Sequence, residues 1–172
     1  MTEGPIILTR PEQVALLPAI TDIYSTVYGA DFAVAVDSLR QAPNYDSKLS
    51  IMALYDGTVV GHILFVPLSE TVTIAPPPAI LPDHQGQMIG SALLYETLEV
   101  QRRAKQDAII LLDNPLRYQK FGFKPLAAQN ISLDPSLDTP ATAFRLTDNP
   151  IADLALPQAL IDFLPPLQRR EA

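Results

Sequence analysis

The stretch LSIMALYDGTVVGHILFVPL, residues 49–68, constrains the fold more tightly than any other part of the chain. Two apolar runs flank Asp56-Gly57, a pair that supplies the positive backbone φ values of a tight turn, so an antiparallel hairpin is expected here. Further on, Ile89, Leu93, Leu94 and Leu98 recur as the apolar stripe of a helix, and Arg102, Arg103 and Lys105 gather at its far end, where positive charge suits the helix dipole. That spacing predicts a helix over about residues 88–106. AIILL, residues 108–112, is a continuous apolar run with two β-branched residues, as expected of a strand buried on both faces. VTIAPPPAILP, residues 72–82, reads as extended, but Pro76, Pro77 and Pro78 have no amide hydrogen to give to a ladder and imply an edge, a bulge or a break in pairing. Strand, loop, helix and strand therefore follow in order. The right-handed crossover rule makes the two strands parallel neighbours with the helix over one face.

The rest of the chain fills in a mixed αβ unit. Ile6, Ile7 and Leu8 suit a first strand. Thr9 and Glu12 have the spacing of a capping box, yet Pro18 interrupts the pattern that follows, which moves the first lasting helix to about Pro18. Ile20, Tyr24, Val27 and Tyr28 continue it at helical spacing, and Gly29 ends it. A second short helix is expected from Asp31 to Arg40, a short helix leading into a strand at RYQKFGF, and a strand at TAFRLTD. The tail, with Pro150, Pro157, Pro165 and Pro166, yields no assigned element. No internal repeat or linker divides the chain, and 172 residues fit one domain spanning 1–172.

Composition then narrows function. With 48% hydrophobic and 18% charged residues the chain has material for a core. A formal charge of -7 argues against a broad nucleic-acid surface, which needs clustered Lys and Arg, and is compatible with cationic substrates. There is no cysteine, and two histidines, His62 and His84, leave little for a transition-metal site, so no metal is expected. MTEGPIILTR does not read as a secretory signal and no apolar run is long enough for a bilayer, so no membrane role and a cytoplasmic location are expected.

HQGQMIGSALL, residues 84–94, is where chemistry is most legible. A helix opening at such a loop presents unpaired amide hydrogens and the positive end of its dipole, so it can hold a phosphate without lysine. Gly86 and Gly90 allow close backbone approach and Ser91 offers a hydroxyl. Taken alone, the loop serves equally well as an ordinary helix start. It is neither a Walker loop nor a dinucleotide fingerprint, because the glycine spacing is wrong and no Gly-Lys-Ser/Thr follows.

From about Leu49 to Phe123 the order LSIMALYDGTVVGHILF, AILPDHQGQMIGSALL, LLDNPLRYQKFGF resembles the GNAT superfamily of N-acetyltransferases, in particular its small YhbS-like bacterial type. The resemblance implies an α/β (α+β) fold: a bent mixed sheet, mostly antiparallel, with a central parallel pair and flanking helices. It also implies acetyl-CoA as cosubstrate, entering where the parallel strands splay apart. On that pattern Gln85, Met88 and Gly90 occupy the motif around the diphosphate, the amides of Gly86, Gln87, Met88, Ile89, Gly90 and Ser91 face it, and backbone groups of Ile80 and Leu81 pair with pantetheine. Met88 departs from the family's glycine, at a cost of about 1–2 kcal/mol if the position is left-handed. Gln85 and Gln87 carry no charge, so binding weakened but not lost is expected.

The same resemblance makes Tyr118 the donor that protonates the departing thiolate. Its alternative is a core tyrosine bonded locally. Asn114 either bonds the pantetheine arm or forms the turn before Pro115. Glu70 and Asp83 flank the acceptor side, His84 is of a type suited to proton exchange at neutral pH, His62 reads as structural, and no general base is assigned. The implied function is transfer of acetyl from acetyl-CoA to a primary amine of a small molecule or peptide by direct attack. The alternative is a non-catalytic acyl-CoA-binding or protein-interaction module that keeps the fold. A homodimer and a monomer both stay open.

Overall fold

The computed structural model describes residues 3–171. Strands β1 (Ile7–Pro11), β2 (Ile51–Tyr55) and β3 (Thr58–Ile63) form an antiparallel ladder, closed between β2 and β3 by Asp56 at φ 48 and Gly57 at φ 86. The first strand runs past the expected apolar triplet to Pro11, because pairing with β2 continues to Ile51. Thr9 lies inside that ladder opposite Ala53, and the Glu12 carboxylate turns inward to His62, so the capping-box spacing is not used as a cap.

A second sheet holds β4 (Val66–Pro67), β5 (Val72–Ala75), β7 (Ala108–Leu111) and β8 (Thr142–Arg145) in the order β4-β5-β7-β8. Strands β5 and β7 pair in parallel from Val72 opposite Ala108 to Ala75 opposite Leu111, and the contact ends with the Leu112 amide donating to Ala75 O at 2.9 Å. Beyond that point Pro76, Pro77 and Pro78 have no amide hydrogens to continue it. The chain crosses to the first sheet instead, where β6 (Ala79–Ile80) pairs with β3. Of the three readings of the proline run, the break in pairing is the one found.

Helices cover both faces. Helices α1 (Leu17–Tyr28) and α2 (Ala30–Ser38), turned by Gly29, share one apolar core with α4 (Gln158–Glu171), while α3 (Ile89–Arg103) packs through Ile89, Leu93, Leu94 and Leu98 on the opposite side. Strand β7 feeds both layers, Ala108 and Ile110 to one and Ile109 and Leu111 to the other. Helix α3 stops short of the expected end because Lys105 turns left-handed at φ 59.

Two elements differ from the sequence pattern. Around RYQKFGF the chain makes two tight helical turns, Pro115–Arg117 and Gln119–Phe121, and then a single bridge between Lys124 and Ala143 in place of a strand, since Pro125 ends the pairing. The tail carries α4 although Pro165 and Pro166 lie inside it. Leu160, Phe163 and Leu167 are buried on one stripe, with the Phe163 ring 5.3 Å from that of Phe32, and this burial offsets the amide hydrogen bonds the prolines remove. Among the described residues no helix is long and apolar enough to cross a membrane.

Candidate active site

The parting of β5 and β7 opens a cleft of about 660 Å³. One wall is Ile80 with the loop from Gln85 into α3; the other is the turn after β7, with Asp113, Arg117, Tyr118 and Lys120; Val27, Tyr28 and Pro78 close one end. The loop wall is built by backbone conformation. Gly86 at φ 80 and Met88 at φ 64 both turn left-handed, and Met88 caps α3 without any side-chain hydrogen bond to the first turn. The first amides of a fifteen-residue helix therefore open towards the cleft with the dipole's positive end behind them. Gly90 lets α3 come close, because a Cβ there would sit 3.2 Å from Ile80 Cδ1.

Met88 thus occupies the conformation in which a side chain is strained, and the residue, 74% exposed, lines the cleft. Met88→Gly is expected to raise stability by about 1 kcal/mol, part of the relief being lost to glycine's looser unfolded chain. A urea midpoint equal to or below the parent's would show that the loop is not strained at this position.

The remaining loop residues are held by local contacts. Leu81 donates its amide to Val60 O at 2.8 Å, so by the alternation of an antiparallel ladder Ile80 is the residue whose backbone groups turn to the cleft. Gln85 reaches back to Ile80 O at 3.1 Å, and Gln87 meets His84 at 3.2 Å. Ser91 lies in the first turn of α3 and lines the cleft. Asn114 is exposed and its Oδ1 accepts the Leu116 amide at 3.1 Å, which is the turn-forming role.

Tyr118 is 6% exposed and its hydroxyl donates to Asp113 Oδ2 at 2.6 Å. Burial first, and the negative charge of Asp113 second, push this phenol well above its ordinary range. Asp113 is 2% exposed at the end of β7, its Oδ1 takes the Asn114 amide at 2.8 Å, and Arg117 Nη1 lies 3.7 Å from its Oδ2. Asp113, Arg117 and Lys120 carry the charge in this cleft, and the sequence reading passed over all three. The available signal was that they flank Tyr118 in DNPLRYQKFGF, in a cleft whose loop wall offers only the uncharged Gln85, while Gln87 does not line it. Tyr28, the last residue of α1, also lines the cleft and donates to Pro78 O at 2.7 Å.

Glu70, Asp83 and His84 do not line the cleft: Glu70 sits in the turn before β5, Asp83 is exposed, and the His84 ring packs 4.7 Å from Tyr55. His62 is fully buried between Tyr24 and Glu12. Among the described residues no group of three or more acidic or histidine side chains stands where it could hold a metal ion.

Residues 46–125 match the family model of the acetyltransferase (GNAT) domain. The uncharacterized N-acetyltransferase YjhQ of Escherichia coli (strain K12) is 31% identical over 99 residues, a match that takes in 54% of this chain and spans only 55% of that protein's length. In the solved structures, the GNAT family N-acetyltransferase YhbS from Escherichia coli, in complex with CoA, superposes with a TM-score of 0.82 at 22% identity, covering 94% of this chain and 95% of that one. A GNAT family acetyltransferase from Brucella melitensis, in complex with acetyl-CoA, gives a TM-score of 0.69 at 25% identity over 90% of this chain and 98% of that one.

Proposed function

From the match of residues 46–125 to the family model of the acetyltransferase (GNAT) domain, we propose that the chain is a GNAT acetyltransferase that transfers an acetyl group from acetyl-CoA to a primary amine of a small molecule or peptide by direct attack. The observation that carries this reading is one cleft in which uncapped amides at the start of α3 face Tyr118 across the gap left by β5 and β7. The residues present fit the cosubstrate. Gly86 has open space where a Cβ would stand, the backbone from Gly86 to Ser91 would hold the diphosphate, and Ile80 would pair with the pantetheine arm. Arg117 and Lys120 would supply from the opposite wall the positive charge that Gln85 does not.

Bound acetyl-CoA supplies an activated carbonyl on a sulfur leaving group. The chain's own part is to fix that carbonyl beside the amine, exclude water with Val27, Ile63 and Pro78, and keep a proton ready at the Tyr118 hydroxyl. An acceptor bearing positive charge suits the chain's formal charge of -7. We read the chain as a single domain acting in the cytoplasm.

Titration calorimetry with acetyl-CoA, followed by a panel of amines assayed for CoA thiol release, tests the reading. Binding that weakens with added salt, and thiol release with at least one amine, are expected. Binding without thiol release from any amine would favour the acyl-CoA-binding alternative, which the uncharged Gln85 and the strained Met88 also suit. No heat and no thermal shift at about 1 mM ligand, the level of a bond worth roughly 4 kcal/mol, would overturn both.

A further inference from the structure

We propose that Asp113 and Tyr118 work as one proton-transfer pair, in which the Asp113 carboxylate takes the proton of the attacking amine while the Tyr118 hydroxyl gives its own to the departing sulfur. The inference rests on the acetyltransferase reading above and adds to it the group that accepts the amine's proton.

Three observations lead to it. Asp113 and Tyr118 line the same cleft and are joined by a 2.6 Å hydrogen bond with the phenol donating. Both are almost fully buried, so water does not screen one from the other. Glu70, Asp83 and His84, the other bases in this part of the chain, do not line the cleft.

Charge makes the two groups interdependent. A phenol whose ordinary value is near about 10, lifted further by burial and by the Asp113 charge, gives its proton to a thiolate whose thiol lies near about 8.5 only uphill. If Tyr118 acted alone, the product would be a phenolate against a carboxylate with little water around either. That obstacle disappears when the carboxylate has gained a proton. Arg117, whose Nη1 is 3.7 Å from Asp113 Oδ2, Lys120, which lines the same cleft, and Tyr28, which acts electrostatically on Tyr118, are titratable groups around the pair.

The step balances without a further reactant. The amine nitrogen forms a bond to the acetyl carbon and the carbon–sulfur bond breaks with its electron pair going to sulfur. The amine's surplus proton passes to an Asp113 oxygen and the Tyr118 proton to sulfur. The carboxyl proton then crosses the existing hydrogen bond to the phenolate oxygen, which restores both groups. The products are one amide and one thiol.

Asp113→Asn, Tyr118→Phe and the double variant test the pair. Each single variant is expected to lower kcat about 100-fold or more, the usual worth of a positioned acid or base, with calorimetric acetyl-CoA affinity changed less than about threefold. The double variant is expected to fall no more than a few-fold below the worse single one, because two groups that act as a unit are lost together. Independently of turnover, proton NMR of the free protein should show a slowly exchanging, downfield hydroxyl resonance that vanishes in Tyr118→Phe and moves upfield in Asp113→Asn. Asparagine keeps an oxygen for the Asn114 amide, and equal far-ultraviolet dichroism and urea midpoints would separate chemistry from folding. Losses that multiply in the double variant, or an Asp113→Asn protein with parental kcat, would overturn the pair while leaving the acetyltransferase reading intact. A parent protein that binds acetyl-CoA yet acetylates no amine would overturn both.

Discussion

Replacing Glu12 by alanine is expected to lower stability by about 3–5 kcal/mol, a large share of the roughly 5–15 kcal/mol that a domain has in total. Glu12 lies just past β1 and its carboxylate is the hub of a buried network. Arg40 donates Nη2 to Oε2 at 2.8 Å and Nε to Oε1 at 3.2 Å, Tyr45 donates its hydroxyl to Oε1, and His62 Nε2 sits 2.8 Å from Oε2. Burial alone would raise this carboxyl, but the hydrogen bonds from His62, Arg40 and Tyr45 outweigh it and hold it at about 2. Burial pushes the His62 imidazole below its ordinary value, so the ring is neutral, with Nε2–H donating to Glu12 and Nδ1 accepting from the Tyr24 hydroxyl at 2.9 Å. Alanine leaves the buried His62 Nε2–H without its acceptor and the Arg40 charge with only the exposed Asp37 carboxylate, 2.8 Å from Nη1, while Tyr45 keeps Ser50 Oγ at 3.0 Å. Glu12→Gln keeps an acceptor oxygen and is expected to lose about half as much.

The same network sets the acid limb of stability. Glu12 goes from about 2 in the folded chain to 4.5 when unfolded, so the unfolded chain binds the proton first and its contribution, complete above about pH 4.5, disappears towards pH 2. His62 is also lowered by folding, so a further loss begins as pH falls through 6.5, where the unfolded imidazole takes up its proton while the buried one does not. Urea midpoints of the parent should fall through both windows, and Glu12→Gln should flatten only the lower one. Equal pH slopes for the two proteins would remove Glu12 from this account.

Gly122→Ala is expected to cost about 2–4 kcal/mol and to lower turnover with it. Gly122 is left-handed at φ 92 in the turn after Phe121, a conformation worth about 1–2 kcal/mol against a residue with a Cβ. The added methyl would also stand 3.0 Å from Phe144 Cε2 on β8, and moving that ring costs about 1–3 kcal/mol where, as here, it packs 5.4 Å from Phe123. Relaxing either contact displaces the turn whose Phe123 amide returns to Tyr118 O. Urea unfolding and single-turnover acetylation measure the two effects, and a midpoint within about 0.5 kcal/mol of the parent's would mean the turn is not held as described.

What the amino-acid order determined by itself was local. The hairpin at Asp56-Gly57, the α1 end at Gly29, the α3 stripe and the doubly buried β7 follow from turn chemistry and from apolar period within a window of a few residues, and each is found where the pattern puts it. The glycine loop was legible for the same reason, as a helix start, whereas Tyr118 was singled out only by the resemblance of the stretch before Gly122-Phe123 to a family motif. Tertiary structure decided the rest. It placed α4 over two prolines because an apolar stripe found Phe32, and it split the sheet at Pro76–Pro78 because β6 had β3 to pair with. It also gathered Arg40, Tyr45 and His62 on Glu12 across separations of 28, 33 and 50 residues, and buried Asp113 against Tyr118. A backbone preference is carried by neighbouring residues, but burial and charge pairing depend on which distant surfaces meet, and only the folded chain fixes that.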